Sequence, residues 1–134
     1  MTDARLLDDV QAVCLLAAVS AANTAAATSG TGLWLDVSNF LGDVLIVQNI
    51  GACTGAGSVN GKLQAGSDAN GTGAADITGA TFTSVVATGP NCQIYALDPS
   101  QCPAAKTFIG YVGTIAGFSA VLIGVSAHGR KRTN

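Results

Sequence analysis

Residues 107–127, TFIGYVGTIAGFSAVLIGVSA, constrain the fold more than any other stretch of this 134-residue chain. The tract is long and apolar enough to cross a bilayer as a helix, and the basic HGRKR that follows suits a cytoplasmic flank. Glycines at 110, 113, 117 and 124 interrupt it, and each costs a helix interior about 1 kcal/mol relative to Ala. The same residues divide into two strand-length apolar runs hinged near Ala116 and Gly117. The alternatives lead to a small tail-anchored membrane protein or to a sandwich of strands, and the expectation is the sandwich.

The rest of the chain points the same way. Residues 33–40 alternate, with Leu33, Leu35 and Val37 on one side and Trp34 and Asp36 on the other; a turn is expected at 41–43. Residues 44–50, VLIVQNI, form a continuous apolar run of the kind found in strands covered on both faces. Residues 58–66 place Val59, Gly61, Leu63 and Ala65 on one face, with a hairpin at Asn60-Gly61 as the competing expectation. Strands are also expected over 80–87 and over 92–98, where Cys92, Ile94 and Ala96 oppose Gln93, Tyr95 and Leu97. All eight acidic residues are Asp, a turn and cap former, and Glu is absent. About seven or eight short strands with regular turn punctuation predict an all-β sandwich or barrel over residues 31–134.

Residues 1–30 read differently. Leu6, Leu7, Val10, Val13, Cys14 and Ala17 fit a helical period, and residues 21–32 are small and polar. An extended N-terminal arm is expected, with Leu6, Leu7, Val10, Leu15 and Leu16 buried either on a neighbouring subunit or on the chain's own domain. The opening MTDARLLDDV carries three Asp and one Arg, unlike the basic start of a signal peptide.

The Gly-rich segment 61–85 lacks both GxxxxGK[ST] and GxGxxG, so its turn-forming residues 67–76 predict a loop between strands, with Ser67 and Asp68 bonding its own backbone, in place of a phosphate cradle. Four cysteines at 14, 53, 92 and 102 include no CxxC pair. They predict small buried thiols and no zinc site, with a Cys92–Cys102 bond left open. The single His128 sits beside the basic end, where an exposed tail is expected, and no GxSxG surrounds any Ser. Asp68, Asn70 and Asp76 do not make a DxDxDG calcium loop. No enzyme, metal or cofactor is expected. The net charge of −2 gives no reason to expect direct nucleic-acid binding. Trp34 and Tyr111 are candidates for interface anchors or core. Arg130, Lys131 and Arg132 are candidates for pairing with an acidic partner, or a solvated tail.

Several motifs carry a resemblance. Lys62-Leu63-Gln64-Ala65-Gly66-Ser67-Asp68, a Gly/Asn-rich loop and Asp76-Ile77-Thr78-Gly79-Ala80-Thr81-Phe82 occur in order. They are followed by an aromatic strand at 108–112, a turn at Ala116-Gly117, an apolar strand at 118–125 and the basic end. With the opening Leu6-Leu7-Asp8-Asp9-Val10-Gln11-Ala12-Val13, the chain resembles the tailed-bacteriophage capsid cement, or decoration, family. It departs from that family at Cys14-Leu15-Leu16, where a polar stretch is usual. The resemblance implies a jelly-roll-like fold, self-association as a homotrimer, and the phage major capsid protein as partner. It also implies a place on the capsid exterior after assembly in the bacterial cytoplasm, with no membrane partner.

Overall fold

The computed structural model describes residues 10–21, 25–28, 33–86 and 90–132. Among these residues nine strands form two antiparallel sheets. One sheet holds β1 (Val10–Ala21), β9 (Ala120–Lys131), β4 (Phe40–Thr54) and β7 (Asn91–Leu97), in the order β1-β9-β4-β7. The other has the order β2-β8-β5-β6, from β2 (Ala25–Ala27), β8 (Phe108–Ala116), β5 (Ser58–Gly66) and β6 (Ala75–Thr81). The short β3 (Leu35–Asp36) also pairs with β8. The connections β1-β2, β3-β4, β4-β5, β6-β7, β7-β8 and β8-β9 cross between sheets, which gives the jelly-roll order expected of the chain.

The 107–127 tract therefore supplies two strands. Chain direction reverses at Gly117, whose φ of +81° suits glycine. A Cβ there would stand 2.5 Å from the Ala56 carbonyl oxygen. The two strands do not pair with each other: β8 pairs with β5, β2 and β3, while β9 pairs with β1 and β4. Among the described residues no helix is long and apolar enough to cross a membrane. The tail-anchor alternative is corrected accordingly, because inward residues Ile109, Ile115, Val121 and Ile123 spend the apolar tract on the sandwich core.

Alternation sets the core. Val44, Ile46 and Ile50 of β4 and Val121, Ile123 and Val125 of β9 meet Val59, Leu63 and Ala65 of β5 and Ile109, Tyr111 and Ile115 of β8. Residues 58–66 are one strand, with no hairpin at Asn60-Gly61. The turn expected at 41–43 is a β-bulge within β4, with Gly42 at φ +71°. The strand expected over 80–87 starts earlier, as β6, and Val85 keeps only a bridge to Val59. A 3₁₀ turn at Val37–Asn39, capped by Asp36, ends the strand expected over 33–40.

Among the described residues the leader supplies two strands, β1 and β2, where its apolar spacing suggests a helical period. Register shifts between Cys14 and Leu16 and between Leu16 and Val19 interrupt the period of two. Leu15 is buried in the core and Leu16 packs against it. Thr28 fastens the segment: its Oγ1 donates to the Leu15 carbonyl at 2.7 Å and accepts from the Tyr111 N–H at 2.9 Å. Leu6 and Leu7 lie outside the described residues.

One polar pair sits inside the sandwich. The Tyr111 hydroxyl donates to Gln48 Oε1 at 2.5 Å, and both side chains are fully buried. Gly61 makes room, since a Cβ there would lie 2.2 Å from that oxygen. Burial pushes the Tyr111 phenol above its ordinary value. Gln48 Nε2 has no hydrogen-bond partner among the described residues, so the pair depends on the single bond to Tyr111. Tyr111→Phe removes it and leaves the whole Gln48 amide unpaired, at a cost of about 1–3 kcal/mol. Urea unfolding followed by circular dichroism will show a lower midpoint with an unchanged native spectrum.

Candidate interaction face

The two outward faces of the sandwich differ in chemistry. On the β2-β8-β5-β6 sheet, Asn60, Lys62 and Gln64 stand beside Asp76, Thr78 and Thr114. Lys62 Nζ lies 2.9 Å from Asp76 Oδ2, and Gln64 Nε2 donates to Asp76 Oδ1 at 2.8 Å. Hydrogen bonds from Gln64 and Lys62 hold the Asp76 carboxyl below its ordinary range. Such a face is comfortable in water.

Next to it, the Gly-rich loop is the structural turn its composition predicts. Asp68 Oδ1 accepts from the N–H groups of Asn70 and Thr72, Asp68 Oδ2 accepts from the Thr72 hydroxyl at 2.6 Å, and Ser67 Oγ donates to the Thr72 carbonyl. The Thr72 bonds depress the Asp68 carboxyl most. Trp34 is half-buried under this loop. A Cβ on Gly71 or Gly110 would come within 2.3 Å or 2.7 Å of its ring. Asp98 caps a 3₁₀ turn at Pro99–Gln101. Among the described residues no three His, Cys, Asp or Glu side chains gather to hold a metal ion.

The outward face of the β1-β9-β4-β7 sheet carries rows of mostly apolar side chains, interrupted by His128, Ser126 and Asn49. Cross-strand register aligns Ala12, His128, Leu45 and Ala96, then Cys14, Ser126, Val47 and Ile94. Gly124, Asn49 and Cys92 form the next row, with Leu122 beyond it. Leu45 is 43% exposed, Leu122 52% and Ile94 63%. None of these residues is Asp, Glu, Lys or Arg. Because Gly124 contributes no side chain, a depression opens among Cys14, Leu16, Asn49, Gly124, Val125 and Ser126. A second lies at Asn49, Ile50, Gly51, Pro90, Asn91 and Cys92. Scattered exposed leucines are ordinary on proteins, whereas contiguous apolar rows mark an interaction surface.

This face also alters the reading of residues 44–50. Their continuous apolar run predicts cover on both sides, but the chain covers only Val44, Ile46, Gln48 and Ile50 and leaves Leu45 exposed and Val47 half-buried. The outer side of this strand, Leu45 and Val47, is not among the interface candidates named from the sequence.

The other candidates divide. Tyr111 is wholly buried, the core alternative of its two expected places. Leu15 is buried in the chain's own core, also one of its two expected places, while Val10 is exposed beside Arg130. Arg130 and Lys131 belong to β9, so the expected basic tail is in part a strand. Arg132 Nε donates to the Phe40 carbonyl at 3.3 Å. His128, expected in that tail, lies within β9 and hydrogen-bonds Ser126 Oγ at 2.8 Å. The basic cluster thus borders one end of the apolar face.

All four cysteines are free. Cys53 and Cys102 are half-buried against the core, whereas Cys14 and Cys92, expected buried, are exposed on the apolar face. Burial raises the Cys102 thiol pKa, so less thiolate is present to react. In the isolated monomer, a disulfide reagent at pH 8 will modify Cys14 and Cys92 roughly tenfold faster than Cys53 and Cys102. Peptide mapping after partial labelling checks the order.

No protein-family model matches the chain, and no curated protein does. Among solved structures it is similar to the CBM22-1–GH10 modules of Clostridium thermocellum xylanase 10B complexed with xylohexaose, with a TM-score of 0.54 and 13% identity. That match covers 95% of this chain but spans only 25% of the xylanase chain. A subunit of Bacillus endospore appendages, a novel family of disulfide-linked pili, aligns with a TM-score of 0.43 and 17% identity over 92% of this chain and 88% of that one. A chain of the T13 IBDV viral particle aligns with a TM-score of 0.41 and 8% identity over 93% of this chain and 39% of that one. The first likeness shows a shared β-sandwich fold; the latter two are too slight to carry more.

Proposed function

We propose that the chain is a structural virion protein, a capsid cement that binds the outer surface of a phage major capsid lattice and stabilises the head. The observation that carries this reading is the uncovered apolar face of the β1-β9-β4-β7 sheet, which needs a partner to complete its burial. The jelly-roll topology and the motif resemblance support the same role.

The energetics suit it. A standard interface of about 1,600 Å², a little over half apolar, gains roughly 20 kcal/mol gross at ~25 cal/mol per Å². Association costs about 4–15 kcal/mol of that. The surplus ties a subunit to a shell without covalent chemistry. In this arrangement the apolar rows seat on neighbouring capsid subunits, and Arg130, Lys131 and Arg132 meet acidic groups at the border. Copies associate around a threefold. The protein then stays outside the shell, away from the genome and from any membrane.

Quantitative mass spectrometry of particles made by a host expressing the chain will find it stoichiometric with the major capsid protein. A few copies per particle would indicate a connector, and absence from particles would contradict a virion role. Leu45→Asp and Leu122→Asp will each weaken attachment at least tenfold, about 1.4 kcal/mol, because a carboxylate must lose water when the face is covered. Unfolding of the free proteins will shift by no more than about 0.5 kcal/mol. Undiminished attachment would mean that a different face meets the shell.

A further inference from the structure

The borders of the two sheets differ in their readiness to pair. The β1 edge is broken by its two register shifts. The β6 edge has a register shift opposite Lys62 and Gln64, and Gly79 at φ +80°. On the remaining side β2 has three residues and β3 two. Bulges, charge and brevity are the ordinary means by which proteins blunt edge strands.

By contrast, β7 has none of these. Its seven residues, NCQIYAL, pair with β4 in unbroken register from Val44↔Leu97 to Ile50↔Asn91. They include no charge and no Pro. Among the described residues no backbone group bonds the opposite edge of β7. The Gln93 amide is occupied by the backbone of Thr83, leaving Cys92, Ile94 and Ala96 to face outward.

We infer that β7 pairs antiparallel with β7 of a second copy across a two-fold axis. A continued sheet needs a long, regular, open edge on its partner, and among the described residues that edge is β7 itself. Like edges meeting like generate a two-fold, isologous contact. An axis through Ile94 pairs all seven residues, with Asn91 opposite Leu97 and Cys92 opposite Ala96; any other centre leaves residues unpaired. Ile94 then lies beside its mate, no like charges meet, and two four-stranded sheets become one of eight with a continuous apolar face. This contact is independent of any viral shell.

The test is the mass of the full chain in solution, by size-exclusion chromatography with light scattering. The expected assembly contains an even number of copies, the smallest having twice the 13.2 kDa chain mass. Ile94→Lys will halve the mass with an unchanged circular dichroism spectrum, since Ile94 is 63% exposed and replacing it leaves the core intact. In a chain whose four native cysteines are Ala, Ile94→Cys will form a disulfide-linked dimer under mild oxidation. A monomeric wild type, an assembly whose mass Ile94→Lys leaves unchanged, or failure of Ile94→Cys to cross-link would each overturn the inference. Shell attachment is read separately, so its loss or survival does not bear on this contact.

Discussion

The packing of β4 and β9 against β5 and β8 holds this molecule together. These are the inner strands of their sheets, so each has a neighbour on both sides and loses no backbone hydrogen bond to an open edge. Their inward rows supply much of the core. The crossing at Gly117 makes this possible, because it sends two consecutive apolar strands into opposite layers. A tract that would serve as a membrane span if helical is consumed instead by the interior of a sandwich. The Gln48–Tyr111 bond adds a polar contact between the sheets in an otherwise apolar interior.

The same strands have a second side, and it separates the two faces of the molecule. Where β5 and β6 face outward, Lys62, Gln64 and Asp76 satisfy one another. Where β4, β9 and β7 face outward, Leu45, Val47, Leu122 and Ile94 do not. A sandwich of this size requires only its inner rows to be apolar. Exposed apolar residues such as Leu45, Leu122 and Ile94 add little to the fold of the single chain and carry a risk of aggregation. They are accounted for if assembly supplies the cover.

Much of this was legible in the residues. Alternation assigned the two sides of β7 correctly, and the glycines at 113 and 117 argued for strands over a span. The Asp and Gly pattern identified the 67–74 loop as a turn. Local irregularity hid the rest. Apolar residues on both sides of β1, Val10 and Cys14 outward and Val13 and Leu15 inward, gave it a spacing that also fits a helix, and the bulge at Gly42 looked like a turn between strands. Burial of Tyr111 depends on Gly61 and Gly113 in two neighbouring strands, a pairing that composition does not show. The exposed side of residues 44–50 could not be told from a covered one until the layer order was known.

The central claim is that the β1-β9-β4-β7 face is covered by a partner while the β2-β8-β5-β6 face remains in water. Hydroxyl-radical footprinting of the free chain and of the chain on intact particles measures both faces together. Loss of labelling at Leu45, Leu122 and Ile94, with the peptide carrying Lys62 and Gln64 labelled as before, is the expected result. Equal labelling of Leu45, Leu122 and Ile94 in both states, or protection confined to the Lys62 face, would contradict it.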